Sequence, residues 1–282
     1  MRVLGKISEL RAALAAQRKA GRTVGLVPTM GFLHEGHISL VEASRRDNDI
    51  TVLSIFVNLT QFGVNEDFDK YPKDIEGDSR KAEEAGTDII FAPTAAEMYP
   101  QDYSTYVDMD GITDRMCGRS RPGHFKGVAT VVTKLFNIVQ PDKAYFGQKD
   151  AQQAAVIRKM VRELNMNVDI AVCPIVREKD GLAMSSRNVY LNSEERKAAL
   201  VLSKSLFKAE GLINEGERDA RKIRAFIEKE IGSETLADID YVTVVDADTL
   251  DEIKLLKGSI LAAVAVRFGK TRLIDNIVME VR

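Results

Sequence analysis

Short apolar runs alternate with longer amphipathic segments through the first half of the chain. Ile50–Val57 is nearly all apolar and β-branched, a pattern typical of a strand buried on both faces. Residues 7–20 instead place Ile7, Leu10 and Leu14 on one face of a helix. The same patterns predict further helices at 36–46, 73–85, 125–140 and 150–164, and further strands at 23–27, 88–93, 143–147 and 168–176. Strands that alternate with helices predict an α/β fold, in which a Rossmann-like parallel sheet carries helices on both faces.

The pattern changes near residue 177. Residues 177–188, REKDGLAMSSRN, are polar and rich in turn formers. The segments that follow are predicted as helices at 193–215 and 219–231, and then as strands at 239–246, 260–267 and 272–280. We therefore expect a Rossmann-like domain at 1–176 and a smaller C-terminal α+β domain at 177–282.

Composition and charge exclude some classes of function. The 282 residues carry a net charge of −2, so the chain lacks the basic character that nucleic-acid binding requires. No apolar run approaches the roughly 18 residues of a membrane helix, and Lys6, Glu9 and Arg11 interrupt any signal-peptide core. Cys117 and Cys173 form no CxxC motif, which argues against a disulfide framework or a zinc cluster. These features predict a cytoplasmic protein without a nucleic-acid or membrane partner.

The segment PTMGFLHEGH, residues 28–37, leaves the first buried strand and enters a helix. Ligands bind at such strand ends in open α/β sheets, and Gly31 and Gly36 allow close approach of a ligand. His34 and His37 are three residues apart, so both rings can face one side of the first helical turn. A helix N-terminus with two imidazole donors predicts a phosphate site. The alternative is a plain strand–turn–helix with two exposed histidines.

Three better-known motifs do not fit this segment. HEGH lacks the spacing of the zinc-protease HExxH. His37 and Ile38 stand where a Walker A loop requires Lys and Ser or Thr, and GxGxxG is absent. The segment therefore has the features of a phosphate site without belonging to the P-loop or dinucleotide-binding classes.

HxGH after the first strand resembles the signature of the nucleotidylyltransferase superfamily, whose members attack the α-phosphate of ATP and release pyrophosphate. That superfamily carries a second, KMSKS-like motif. AMSSRN, residues 183–188, resembles it, with Ala183 and Ser186 in place of the lysines and Arg187 as the cation. The alternative for the bare SSRN sequence is an ordinary turn before a helix.

Longer stretches resemble the pantothenate synthetases. They are FVNLTQFGVNEDFDKYP (56–72), RPGHFKGVATVV (121–132) and YFGQKDAQQ (145–153), in the expected order with PTMGFLHEGH and MSSRN. The resemblance covers essentially the whole chain. It implies ATP-dependent joining of (R)-pantoate to β-alanine through pantoyl adenylate, with release of AMP and pyrophosphate. It also implies ATP as substrate, Mg²⁺ and a homodimer.

The resemblance also implies roles for individual residues. Gln61 and Gln153 would bind pantoate, and Gln61 also β-alanine, while Asn58 offers a further neutral amide to the substrate. The catalytic residues would be His34, His37, Lys149 and Arg187. The ATP-binding set would be Met30, Gly31, Phe32, Leu33, His34, Glu35, Gly36, His37, Gly147, Gln148, Lys149, Asp150, Val176, Met184, Ser185, Ser186 and Arg187.

Within that set the expected contacts differ. Asp150 would meet the ribose hydroxyls and Lys149 a phosphate, while Val176 would contact adenine through its backbone. Ser185–Arg187 would hold the outer phosphates, and the C-terminal domain would act as a lid that shields the adenylate from water. We name no metal ligand, and Gln148 stands where Glu is also familiar in the family.

Two other functions stay open at this level. The chain could be a nucleotidylyltransferase that stops at an adenylylated product, or a non-catalytic module that keeps HEGH and SSRN as structural turns. The basic turn of Arg121, His124 and Lys126 could border the site or be solvated.

Overall fold

A computed structural model of the chain describes residues 1–63 and 71–282. Residues 64–70, in the middle of the 56–72 motif, lie outside the described residues. The chain divides into two compact units. The first unit comprises Met1–Thr113, Arg121–Gly147 and Val156–Pro174, and the second comprises Asp114–Ser120, Gln148–Ala155 and Ile175–Arg282. The boundary predicted at 176–177 and the lid role stay predictions, because compactness does not show that either part folds or moves on its own.

The first unit is built on a parallel sheet. Its strands are β1 (Arg2–Leu4), β2 (Val24–Thr29), β3 (Ile50–Ile55), β4 (Ile89–Phe91), β5 (Lys143–Gly147) and β6 (Asp169–Cys173). In the part of the chain that the structure describes, they form one six-stranded sheet in the order β1-β4-β3-β2-β5-β6. The strand order reverses between β2 and β5. A ligand crevice in an open α/β sheet lies beyond the carboxyl ends of the strands at such a switch point.

Helices cover this sheet, as predicted. They are α1 (Ile7–Lys19), α2 (Glu35–Asp47), α3 (Ile75–Glu84), α4 (Ala95–Met98), α6 (His124–Val139) and α7 (Ala151–Glu163). Helices α2 and α3 pack on β2, β3 and β4 through a buried cluster that includes Leu40, Val41, Ala82, Val27 and Ile90. Helix α1 packs against α6, which also contacts β2. The Rossmann-like α/β prediction is therefore confirmed.

The second unit contains helices on an antiparallel sheet. Its helices are α5 (Met116–Ser120), α8 (Ser193–Ala198), α9 (Val201–Asn214) and α10 (Ala220–Gly232), and its strands are β7 (Ala237–Asp246), β8 (Gly258–Phe268) and β9 (Thr271–Val281). The strands pair in the order β7-β8-β9. Leu206, Ile223 and Ile227 pack with Val264 and Ile277 in one buried cluster. The prediction of an additional C-terminal α+β region is confirmed.

Some predicted boundaries were wrong. The helix predicted at 193–215 is two helices, because Leu200 N–H reaches back only to Lys197 O and Leu202 N–H only to Ala199 O, which makes a tight three-residue turn. The strand predicted to reach 176 ends at Cys173, since Pro174 has no N–H for the ladder. Strand β1 and helix α4 were missed because runs of three or four residues carry almost no periodicity. Across residues 1–63 and 71–282, no helix combines the length and apolar character needed to cross a membrane.

Candidate active site

The turn between β2 and α2 has a backbone that only particular residues allow. Gly31 has a φ of +84° and Phe32 a φ of +53°. A Cβ on Gly31 would lie 3.0 Å from both Asp78 Oδ2 and Ile55 Cγ2. Glycine is therefore required at Gly31 by the backbone angle and by the space around it. Thr29 supports the turn, because its hydroxyl donates to Ser54 O at 2.7 Å and accepts from Gly31 N–H at 3.2 Å.

A buried carboxylate on α3 holds the same turn. Asp78 is 2% exposed, and its two oxygens each accept one backbone N–H, from Phe32 and from Leu33, both at 2.7 Å. Lys81 Nζ donates to Leu33 O at 2.7 Å, one helical turn further along. Asp78 was not among the predicted site residues. The one sequence feature that points to it is its position four residues before Ala82, on the apolar face of the predicted helix.

The two histidines of the turn exchange hydrogen bonds with the start of α2. Gly36 N–H donates to His34 Nδ1 at 3.2 Å, and His34 N–H donates to His37 Nδ1 at 3.3 Å. A ring nitrogen that accepts a backbone N–H carries no proton, so both neutral rings hold their proton on Nε2. The ring centroids are 4.0 Å apart. Two Nε2–H donors thus stand together at a helix N-terminus, an arrangement that suits an anion.

Gln61 lies beside this turn. Its side-chain N–H donates to Met30 Sδ at 3.2 Å, and its side-chain oxygen accepts from Asn58 Nδ2 at 3.1 Å. Asn58 is 1% exposed and also donates to Gly127 O at 3.1 Å, while Tyr99 OH donates to its oxygen at 2.7 Å. Asn58 therefore orients Gln61 through its internal bonds. Its predicted contact with substrate stays a prediction.

Helix α6 holds the backbone of the same segment. His124 Nδ1 lies 2.8 Å from Gln61 O, and because a carbonyl oxygen only accepts, this nitrogen carries the proton. His124 Nε2 is then the acceptor for Arg121 at 3.1 Å, so this ring has the opposite tautomer to His34 and His37. A Cβ on Gly127 would lie 2.3 Å from Thr60 O, so the helix approaches the segment closely. His124 and Gly127 thus support the Gln61 segment, whereas Pro122 and Gly123 of the same stretch are exposed.

In the second unit, Gln148–Asp150 form one 3₁₀ turn that precedes α7. Both backbone carbonyls of Gln148 and Lys149 accept hydrogen bonds from the buried Asn276 of β9, each at 3.0 Å. Gln153 is half-buried on the first turn of α7. Its neighbour Gln152 is 4% exposed and binds the backbone of Cys117 at 2.9 Å.

The second predicted ATP segment of this unit is a closed loop. Met184 N–H donates to Val176 O at 3.0 Å, which brings the predicted adenine contact next to the MSSR sequence. Ser185 caps the 3₁₀ helix Ser186–Tyr190, because its Oγ accepts Arg187 N–H at 3.2 Å. Asn188 Nδ2 closes the loop by donating to Ala183 O at 3.1 Å.

The predicted site residues are therefore divided between the two units. The first unit carries Met30–His37, Asn58, Gln61 and Gly147, and the second carries Gln148–Asp150, Gln153, Val176 and Met184–Arg187. Their substrate contacts stay predictions. In the part of the chain that the structure describes, no group of three or more His, Cys, Asp or Glu side chains could hold a metal ion.

A parallel sheet with a helix N-terminus at its switch point is typical of the nucleotide-binding α/β class of proteins. Residues 2–278 match the family model described as Pantoate-beta-alanine ligase. The chain therefore belongs to the pantoate–β-alanine ligase family. The predicted family and ligase activity are confirmed.

Individual relatives agree with this assignment over the whole length. The pantothenate synthetase of Acetivibrio thermocellus is 64% identical over 281 residues, with 100% of both chains covered. A crystal structure of pantothenate synthetase from Thermus thermophilus is 45% identical, with a TM-score of 0.94 over 98% of this chain and 99% of that one. The Francisella tularensis ligase, solved with β,γ-ATP and β-alanine, is 32% identical, with a TM-score of 0.78 over 99% and 97%.

Proposed function

We propose that this protein uses ATP to adenylate (R)-pantoate and then transfers the pantoyl group to β-alanine. The observation that carries the proposal is the pair of imidazoles on His34 and His37 at the N-terminus of α2, whose Nδ1 atoms accept backbone N–H groups and whose ring centroids are 4.0 Å apart. A triphosphate needs positive and hydrogen-bonding groups where its charge develops, and this helix end lies at the switch point of the sheet. Family membership supports the choice of the two acids.

In the first step a pantoate carboxylate oxygen attacks the α-phosphorus of ATP. The new bond forms in line with the bond to the β-phosphate, which breaks and leaves pyrophosphate. The protein contributes position and charge stabilisation to such a transfer. We assign the two imidazole donors to the phosphate oxygens. His37 would then act by hydrogen bonding through Nε2–H, because its Nδ1 accepts the His34 N–H.

In the second step the neutral amine of β-alanine attacks the acyl carbon. The bond from that carbon to the AMP oxygen breaks, and the nitrogen loses a proton. Gln61 is suited to hold pantoate and β-alanine in turn, because Asn58 fixes its side chain and His124 fixes its carbonyl group. Gln153 would contact a pantoate hydroxyl or carboxylate from the start of α7.

The second unit would supply the remaining contacts with ATP. We assign Lys149 and Arg187 to phosphate oxygens, with Ser185 and Ser186 as hydroxyl donors to the outer phosphates. Asp150 suits the ribose hydroxyls, and Val176 the adenine ring. A C-terminal domain at 177–282 that acts as a lid would keep water from the reactive acyl adenylate.

Magnesium belongs to this proposal through the nucleotide rather than through a protein site. Mg²⁺ prefers carboxylate and water oxygens, whereas the predicted phosphate contacts are imidazole, ammonium, guanidinium and hydroxyl groups. These residues do not form a metal site. We therefore propose that Mg²⁺ arrives bound to the phosphates of ATP. We also propose a cytoplasmic homodimer, which light scattering on the purified protein would test.

Isotope exchange tests the two-step reaction. Labelled pyrophosphate should enter ATP when pantoate is present and β-alanine is absent, and AMP should accumulate only when both acids are added. Exchange without pantoate would instead indicate a nucleotidylyltransferase with another acceptor. ATP binding without any turnover would indicate a non-catalytic module.

A variant of His37 tests the donor assignment. His37→Ala should slow the exchange by about 10²–10³, the usual cost of one preorganised donor. A folded His37→Ala protein with wild-type exchange would contradict the role given to this ring.

A further inference from the structure

A buried amide on β9 is committed to one of the predicted ATP segments. Asn276 is 2% exposed, and its Nδ2 donates to Gln148 O and to Lys149 O, both at 3.0 Å. Its Oδ1 accepts from Gln148 Nε2 at 3.2 Å. The two N–H groups and the oxygen of this amide therefore all bind Gln148 and Lys149, and they fix the backbone from which the Lys149 side chain extends.

The preceding residue is a buried carboxylate committed to the other segment. Asp275 is 1% exposed, and its two oxygens accept from Arg177 NH1 at 2.6 Å and NH2 at 2.9 Å. Arg177 also donates to Gly181 O at 3.1 Å, and its guanidinium lies 4.9 Å from the ring centre of Phe207. A planar, two-bond pair of this kind fixes direction as well as distance.

Adjacent residues of a strand point to opposite faces of its sheet. Leu273 and Ile277 lie in the core under the helices, so Asp275 is on that face and Asn276 is on the other. The carboxylate therefore stands among apolar side chains, where a charge is costly unless it is paired. Arg177 is the cation that pairs with this carboxylate, and the loop that carries Ser185–Arg187 begins at Arg177.

We propose that Asp275 and Asn276 are positioning residues for ATP: from the two faces of one strand they fix the Gln148–Lys149 turn and the loop that begins at Arg177. Lys149 and Arg187 are then carried by a common rigid support and meet the phosphates as a preorganised pair. The inference rests on the proposed function, in which both cations bind ATP. Neither supporting residue touches the nucleotide in this assignment.

Asn276→Asp tests the first half of the proposal. The side chain keeps its shape, but a carboxylate replaces the two N–H donors in front of two carbonyl oxygens, so both bonds are lost. The free energy contributed by two such hydrogen bonds is large enough that we expect the dissociation constant of Mg-ATP to rise by about tenfold or more. The KM for β-alanine should stay within about twofold, because that step does not use the triphosphate. Amide hydrogen exchange should speed up in peptides that span 143–153 and stay unchanged in 177–188.

The matched control is Asp219→Ala. Asp219 caps α10 by accepting Arg221 N–H at 2.9 Å, so its loss lowers stability in the same unit without touching either segment. Wild-type ATP affinity and hydrogen exchange in Asn276→Asp, at a stability equal to that of Asp219→Ala, would overturn the role of Asn276.

Arg177→Lys tests the second half and serves if Asn276→Asp does not fold. A lysine keeps the charge, but its single nitrogen cannot make the two parallel bonds to Asp275. We expect Mg-ATP to bind several-fold more weakly. Amide hydrogen exchange should become faster in residues 177–188 and stay unchanged in residues 143–153. Wild-type Mg-ATP affinity together with wild-type hydrogen exchange in 177–188 would overturn the proposal. If the wild-type protein shows no pantoate-dependent exchange of pyrophosphate into ATP, that result contradicts the proposed function only. The amide hydrogen-exchange comparison still decides the positioning role.

Discussion

Replacing Asp78 with asparagine measures how firmly α3 holds the histidine-bearing turn. The substitution keeps the size of the side chain, but one of the two acceptor oxygens becomes an NH₂ group. That group must face the N–H of Phe32 or of Leu33, so one 2.7 Å bond is replaced by two opposed donors. The affected backbone N–H loses its acceptor. Water does not replace that acceptor at the Asp78 side chain, because this side chain is only 2% exposed.

The magnitude follows from the kind of bond that is lost. A hydrogen bond to a charged acceptor contributes about 1.5–3 kcal/mol, and a buried donor left without a partner costs about 1–3 kcal/mol. The two contributions overlap, and the neutral amide is easier to bury than a carboxylate. We therefore expect the free energy of unfolding to fall by about 3 kcal/mol. Pantoate-dependent pyrophosphate exchange should fall as well, because the turn that carries His34 and His37 is released from α3.

The same helix provides the control for this experiment. Asp74 caps α3 by accepting Gly77 N–H at 2.9 Å, and asparagine is as good a cap as aspartate. Asp74→Asn makes the same chemical change four residues earlier and should alter stability by only a few tenths of a kcal/mol. Urea unfolding followed by circular dichroism, together with the exchange assay, compares the two variants. Equal stability and equal exchange in both would refute the reasoning.

Three further predictions concern other parts of the molecule. Gly127→Ala should raise the KM for pantoate, because the new Cβ would lie 2.3 Å from Thr60 O and displace the Gln61 segment; Gly211→Ala on α9 meets nothing within 4 Å and should instead add about 0.5–1 kcal/mol to the free energy of unfolding. Burial raises the pKa of Tyr145, so the stabilisation from its neutral hydroxyl should be complete below the unfolded-state pKa of about 10 and should decline as the pH rises above that value. Urea unfolding between about pH 9 and 11 should show a smaller loss of stability in Tyr145→Phe than in the wild type. Gln153→Ala should weaken pantoate use several-fold in steady-state assays while the KM for ATP stays nearly unchanged, and equal losses for both substrates would contradict the specific role.

The sequence was sufficient for features that depend on local periodicity. Alternation of the Ile50–Val57 type with amphipathic helices predicted the parallel sheet, because burial on both faces leaves a continuous apolar run. The three-residue spacing of His34 and His37 predicted rings on one helical turn, and their centroids are 4.0 Å apart. Such features involve residues that are close together in the chain, so the pattern itself holds the geometric information.

The supports of the site could not be found in this way. Asp78 binds a backbone 46 positions earlier, and Asn276 binds one 127 positions earlier. A single acidic or amide residue in a helix or strand pattern is more often solvated, so only the tertiary fold distinguishes these two. Their partners are backbone groups, which leave no trace in the side-chain pattern. The fold and motif could therefore be read from the sequence, while the groups that hold the motif in place could not.

The imidazole of His37 has two ring nitrogens, and the proposed function gives each of them a separate task. Nδ1 accepts the His34 N–H at the start of α2, and Nε2–H is the donor that the proposed function assigns to phosphate. Asparagine places its oxygen near the position of Nδ1, and glutamine places its amide nitrogen near the position of Nε2. An asparagine variant could therefore keep the architecture and lose the chemistry, while a glutamine variant could do the reverse. Few side chains other than histidine meet both demands at once, so under the proposed function selection on folding and selection on catalysis would act on the same ring.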